Sequence, residues 1–162
     1  MGAHRRGSGS TRPRRAVIVA VAAVMAGSVL AGVGVAAEPR SRGPLVPGTP
    51  CTTSAIACVD IAGRKAWLIE DGQVVRGPVL AIPGDRADPT PRGTFRVEWK
   101  AERYTSREYL VQMPYAVFFA PGGIAFHEGD QHSNSAGCVK LGHEDAVAFF
   151  RHLQIDDEVQ LR

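Results

Sequence analysis

From Ala57 onward the apolar residues fall in short runs, several alternating with polar ones, the period of a strand with one covered face. Residues 58–61 and 66–70 are two such runs, split by Gly63. Asp71-Gly72 is a hairpin turn signal ahead of residues 73–75. Pro78 and Pro83 limit backbone pairing beyond that point, so this strand is expected to be short or at an edge. Residues 81–92 read as a long turn-rich loop, and 95–99 alternate as a half-buried strand. Residues 101–107 are polar and read as a loop, solvated or bordering a cleft. Strands are expected at 109–113 and 115–120 around Pro114, and Ile124-Ala125-Phe126 follows the turn Pro121-Gly122-Gly123. One segment changes period: Ala146, Val147, Phe149, Phe150 and Leu153 mark the buried stripe of a helix over about 144–153. Glu144 and Asp145 suit its first turn, Arg151 and His152 its last. A turn at Asp156-Asp157 leads into a closing strand, 158–161. About seven short strands and one long helix make the class mostly β, with a single packed helix near the C-terminus.

The N-terminal quarter is different. Residues 1–15 are basic, and residues 16–37 are an unbroken apolar stretch, the arrangement of an export signal. Val35-Ala36-Ala37 offers small residues for cleavage, with Glu38 opening the mature chain. An uncleaved membrane anchor through residues 16–37 is the alternative, since the stretch is long enough to span a bilayer. Arg14-Arg15 is a weak hint of twin-arginine export, and no cysteine ends the apolar run to carry a lipid. Residues 38–50 are rich in Pro, Gly and Arg and read as a tether. That leaves 51–162 as one domain, long enough for its own core.

The formal charge of +3 adds little, because Arg5, Arg6, Arg12, Arg14 and Arg15 all lie in the leader. The remainder is slightly acidic and shows no nucleic-acid footprint. An exported chain permits disulfides, and Cys51 and Cys58 pair most simply with each other, with a metal site as the poorer alternative. Cys138 is then the odd cysteine, flagged as reactive.

Candidate chemistry gathers in residues 126–141. His127 ends an apolar run, and Cys138 follows Ser135-Ala136-Gly137. A thiol and an imidazole from two buried elements are the minimum parts of a cysteine acyl-transfer site. The thiolate is the nucleophile, and an imidazole can take the thiol proton. Charge developing on the attacked carbonyl needs fixed donors, which the amides around Gly137 and Cys138 can supply. A buried structural cysteine is the bland alternative. Zinc held by His127, His132, Cys138 and His143 is a further one, but the spacing fits no compact zinc signature, so no metal is expected. His132 either lines the cleft or is a solvated loop residue. His143 and His152 are read as structural.

Ser135-Ala136-Gly137-Cys138-Val139-Lys140-Leu141 resembles the Ser-His-Gly-Cys-Val/Ile-Arg-Leu/Met signature of the YkuD-type L,D-transpeptidases of bacterial peptidoglycan. His127 matches the upstream catalytic histidine of that family. Pro89-Thr90-Pro91-Arg92-Gly93-Thr94-Phe95 looks like its Thr-Pro-x-Gly-x-Phe segment, and the hairpin residues from Trp67 to Val79 look like its opening. The resemblance covers roughly 56–162. It implies the family's β-sandwich, no cofactor, and peptidoglycan stem peptides as donor and acceptor outside the cytoplasm; a monomer is expected, although nothing in the sequence fixes the oligomeric state. Cys138 would be the nucleophile, His127 the general base and acid, and Gly137 an oxyanion donor through its amide. Ser135, Lys140 and His132 are the candidate substrate contacts from the residues themselves: Ser135 could instead stabilise the turn through its hydroxyl, and Lys140 is either the holder of a substrate carboxylate or a solvated cation beside the turn. The reaction implied is attack on a tetrapeptide stem, release of D-Ala through a thioester, and 3→3 cross-linking, or carboxypeptidase action if water intervenes. Two departures stand out: Ala136 occupies the place of a second histidine, and the loop from His127 to Cys138 is short. A non-catalytic wall-binding module and a redox thiol protein are the competing classes.

Overall fold

The computed structural model describes residues 43–162, so the export segment over 1–37 and the first residues of the tether lie outside the described residues. Among the described residues no helix is long and apolar enough to cross a membrane. The strands are β1 (Ala57–Asp60), β2 (Lys65–Glu70), β3 (Gln73–Ile82), β4 (Gly93–Arg96), β5 (Trp99–Ala101), β6 (Ala116–Ala120), β7 (Ile124–Glu128), β8 (Val139–Leu141) and β9 (Glu158–Leu161), and the helix α1 is His143–His152. They pair in the order β4-β9-β1-β2-β3-β8-β7-β6-β5. β4 and β6 stand far apart in that order, yet the Phe95 and Phe119 rings lie 6.1 Å apart. The sheet therefore curls over, and its two halves face each other across the core as a sandwich.

β3 joins the halves. It runs ten residues, longer than the strand expected at 73–75, but the expected edge is present: from Gln73 to Leu80 it pairs with β2 alone, and only Ala81 and Ile82 pair with β8. Pro78 lies in the stretch that is open on one side and Pro83 just past the strand's end, so neither missing donor interrupts the pairing. The register slips between Ala66 and Leu68, so Gly77 and Pro78 sit in a bulge. Gly77 is required there: its φ is +115°, and a Cβ would lie 2.6 Å from the Ala66 carbonyl oxygen.

The strand expected at 95–99 is in fact two. The Val97 amide donates to the Asp157 carbonyl, but the next amide, Glu98, donates to Phe118. The chain thus changes halves within one residue, with Val97 buried at the crossing. The strand expected at 109–113 is absent. That segment turns and returns toward β6 with one isolated bridge, Thr105 to Gln112, because its polar groups are used in a turn described below.

β6 is buried along its whole length. Val117 and Phe119 enter the main core with Phe126, Val139, Leu141 and Phe149. Ala116 and Phe118 face the other way, against Ala125, Met113 and Cys138. α1 lays Ala146 and Phe149 on the main core, with Leu153 just beyond its end. Arg76 on β3 meets Asp145 of α1 at 2.7 Å, a half-exposed pair of modest worth.

A smaller core lies on the far side of β1 and β2. Cys51 and Cys58 are disulfide-bonded there, among Val46, Ala55, Trp67 and Ile69. Residues 44–50, read above as tether, pack against it, and Val46 is only 1% exposed. Gln160 of β9 holds this start in place. Its Oε1 accepts from the Thr52 amide at 3.0 Å, and its Nε2 donates to Thr52 Oγ1 and Glu158 Oε1, each at 2.7 Å. The side chain is fully buried. Gln160→Ala should therefore cost about 2–4 kcal/mol, from orphaned partners plus a cavity. Denaturant unfolding would measure it, and a loss under 1 kcal/mol (roughly the net worth of one hydrogen bond) would show that water replaces the amide freely.

Candidate active site

The site lies on the outward face of β7 and β8. These strands are parallel, with Phe126 opposite Val139 and His127 opposite Lys140. Because side chains alternate faces along a strand, Phe126 and Val139 point into the core. His127, Lys140 and, one step before β8, Cys138 point the other way. Only residues 129–138 connect the two parallel strands, without a helix, so this short polar loop must fold back beside the strand ends and forms one wall of the site.

His127 and Cys138 are 6% and 9% exposed. His127 Nδ1 lies 2.7 Å from the Glu128 carbonyl oxygen. A carbonyl can only accept, so Nδ1 carries the proton and the neutral ring keeps Nε2 free as an acceptor. Burial pushes the imidazole below its ordinary range. The Glu128 carbonyl opposes that shift, and the nearby Lys140 ammonium adds to it. Burial also pushes the Cys138 thiol up, against a smaller lowering by the Ala125 amide. The pair therefore rests as neutral thiol and neutral imidazole. The thiol donates to the Gly123 carbonyl at 3.7 Å.

The turn carrying the thiol is fastened from β3's far end. Thr90 Oγ1 donates to the Gly137 carbonyl and accepts from the Gly84 amide, each at 2.8 Å. The Ser135 amide donates to Pro83, and Gly84 bridges Ser135 in parallel. Gly137 has φ +88°, a conformation that favours glycine. Its amide and that of Cys138 donate to no carbonyl of the surrounding turns and loops.

Residues 102–115 arch over this face as a lid. The Tyr115 amide donates to Glu102, Met113 to Tyr104 and Ser106 to Val111. Ser106 also closes the tip, accepting from the Leu110 amide on its carbonyl and from the Tyr109 amide on its hydroxyl. This turn consumes the bonds that a strand at 109–113 would have needed. Between lid and strands is a cleft of about 520 Å³. Trp99, stacked on Phe118 at 3.6 Å, forms part of its apolar floor.

Cys138, His127, Ser135 and Lys140 all line the cleft, whereas His132 stands exposed in the loop and does not. His143 pairs with Glu128 at 2.9 Å. Among the described residues no three His, Cys, Asp or Glu side chains gather to hold a metal. The roles of Thr90 and Gly84 carry no signal in the sequence, whereas an acceptor for the His127 ring from the loop at 128–133 is left open by the sequence, and the Glu128 carbonyl supplies it. Thr90 lay in a segment already noted, but nothing local to it points at Gly137.

The L,D-transpeptidase catalytic-domain model matches residues 54–161. Among solved structures, an L,D-transpeptidase from Stackebrandtia nassauensis is 27% identical, with a TM-score of 0.62, covering 65% of this chain and 54% of its own. L,D-transpeptidase 1 of Mycobacterium tuberculosis is 23% identical, with a TM-score of 0.58, covering 69% and 63%. L,D-transpeptidase 3 of the same organism, solved with a faropenem-derived adduct, is 19% identical, with a TM-score of 0.60, covering 69% and 61%. The latter two likenesses speak to fold alone. The match spans less than two thirds of each of these solved chains. No curated protein matches.

Proposed function

We propose, from the premise that this chain belongs to the YkuD family of L,D-transpeptidase catalytic domains, that it is a cysteine-dependent acyltransferase acting on peptidoglycan tetrapeptide stems outside the cytoplasm. The observation carrying this is the cleft itself: a buried thiol and an imidazole with Nε2 free, on one strand face beneath a lid. Cys138 Sγ gives its proton to His127 Nε2 and attacks the carbonyl of the third stem residue. The Gly137 and Cys138 amides hold the oxyanion. The C–N bond breaks, Nε2 returns the proton to the departing D-Ala amine, and a thioester remains. A side-chain amine of a second stem attacks it, giving its proton to His127, and the thiol is regenerated with a 3→3 cross-link formed. Water in place of the amine gives a carboxypeptidase. Ser135 shapes the thiol turn through its backbone. The disulfide fits an oxidising compartment.

The test is mass spectrometry of the full chain with a disaccharide-tetrapeptide. Release of D-Ala with a cross-linked dimer supports the transpeptidase, and release alone makes it a hydrolase. No turnover, with no covalent adduct from a penem such as faropenem, leaves a wall-binding module.

The resting protonation states predict the pH profile. His127 must be neutral to act as base, and burial depresses its pKa below 6.5. Thus kcat/KM should rise through an acid limb centred below pH 6.5 and hold level above it, while the thiol, raised above 9.0, stays protonated. An acid limb above 6.5 would contradict this assignment. The same depression means that protonating His127 opposes folding, so its effect on stability appears as pH falls below 6.5.

A further inference from the structure

We propose that Lys140 reads the free α-carboxylate of the residue that departs, with Ser133 and Asp130 as positioning residues that hold its ammonium in place. This rests on the acyl-transfer reading above. The register supplies the first argument. Lys140 is two residues beyond Cys138 on the same face, about 6–7 Å along the strand, and lies directly opposite His127 on β7. The face therefore presents nucleophile, proton donor and cation in adjacent places. A stem peptide presents scissile carbonyl, leaving nitrogen and α-carboxylate in the same sequence, with only one carbon between the last two. With the carbonyl at Cys138 and the nitrogen at His127, the carboxylate falls beside Lys140.

The second argument is how the ammonium is held. Lys140 is 8% exposed and lines the cleft. Its stem passes beneath Gly129, where a Cβ would lie 2.7 Å from Lys140 Cδ. Nζ donates to Ser133 Oγ at 3.0 Å, and Ser133 donates onward to Asp130 Oδ2 at 2.7 Å. The His132 amide fixes the other Asp130 oxygen at 3.0 Å. An ammonium has three donors, and Ser133 accounts for one. Asp130 compensates the charge through a hydroxyl without occupying the remaining donors with a direct ion pair. Ser133 and Asp130 line the same cleft. The other cation there, Arg107, stands on the lid rather than on the strand face. A donor with a further residue, or with an amidated end, lacks a carboxylate at this place.

The experiment compares the full chain on a disaccharide-tetrapeptide ending in free D-Ala and on the same donor ending in D-Ala amide. The wild type should show a KM about tenfold or more higher for the amide, as expected for a lost charge-assisted hydrogen bond. Lys140→Met should raise KM for the acid donor to the amide's value and abolish discrimination, and Lys140→Arg should restore it. Ser133→Ala should weaken discrimination by a few-fold. The rate of Cys138 alkylation by iodoacetamide, a neutral reagent, should stay within about twofold throughout, which a merely structural lesion would not permit. Equal KM for acid and amide in the wild type overturns the assignment without needing any variant, as does undiminished discrimination by Lys140→Met. If instead the wild type turns over neither donor, the acyl-transfer reading itself fails, and this inference with it.

Discussion

Cys138→Ala is expected to abolish release of D-Ala, lowering turnover by on the order of 10⁴-fold or more, because no other side chain in the cleft can form the thioester. The cleft carries no second free cysteine among the described residues. The fold should barely notice. Cys138 is a small side chain at the rim of the Met113, Ala116, Phe118 and Ala125 cluster, and trimming its sulfur should cost about 1 kcal/mol. Near-unchanged thermal unfolding together with lost turnover is the expected pair of results. Retained turnover would remove Cys138 from the chemistry. A collapse in stability would return it to the role of a structural cysteine.

The second large effect comes from a residue with no chemistry of its own. At Gly84 an added Cβ would lie 2.0 Å from the Asp88 carbonyl oxygen, 2.7 Å from the Gly137 nitrogen and 2.9 Å from the Gly137 Cα. All three are backbone atoms, which cannot rotate aside as a side chain does. Gly84→Ala must push the 83–90 loop and the thiol turn apart, stretching the bonds from Thr90 that join them. A stability loss of about 2–3 kcal/mol is expected. Turnover should fall by roughly 10²-fold, since a displacement near 1 Å misplaces the nucleophile against its base. Gly122→Ala is the control. Gly122 also lines the cleft and has φ +83°, but a Cβ there meets nothing within 4 Å. It should cost only its backbone strain, about 1 kcal/mol. If Gly84→Ala unfolds and turns over like the wild type, the loop yields without moving Gly137, and Thr90 is not what positions the turn.

The helix and the strands next to it could be read from the residues, because each carries its own signal. Ala146, Phe149 and Leu153 recur at helical spacing, and the helix begins within one residue of its expected start. Ile124-Ala125-Phe126 ahead of His127 gave β7. The failures share one cause, which is that backbone partners are chosen by the whole fold. Pro78 marks an edge by its own chemistry and lies on one, but the bulge between Ala66 and Leu68 lets the strand run past it to join β8 at Ala81 and Ile82. Residues 95–99 alternate correctly for one strand, but Val97 and Glu98 donate to different halves of the sandwich. Residues 109–113 have strand-like side chains, and Ser106 takes their hydrogen bonds for a turn.

The same division runs through the candidate site. The reacting types and their spacing are local facts: His127 at the end of an apolar run, Gly137-Cys138 after a small turn, an odd cysteine beside a paired Cys51 and Cys58. Those are enough to propose a chemistry, because a thiol, an imidazole and a glycine turn have few other joint uses. The placement of the parts depends on pairing across the chain. Parallel register sets Lys140 opposite His127, Thr90 reaches 47 residues forward to the Gly137 carbonyl, and the lid at 102–115 covers the strand face and raises the thiol's pKa by burial. Residue types are carried by each position alone. Register, burial and shared hydrogen bonds exist only between positions, so only the folded chain could decide them.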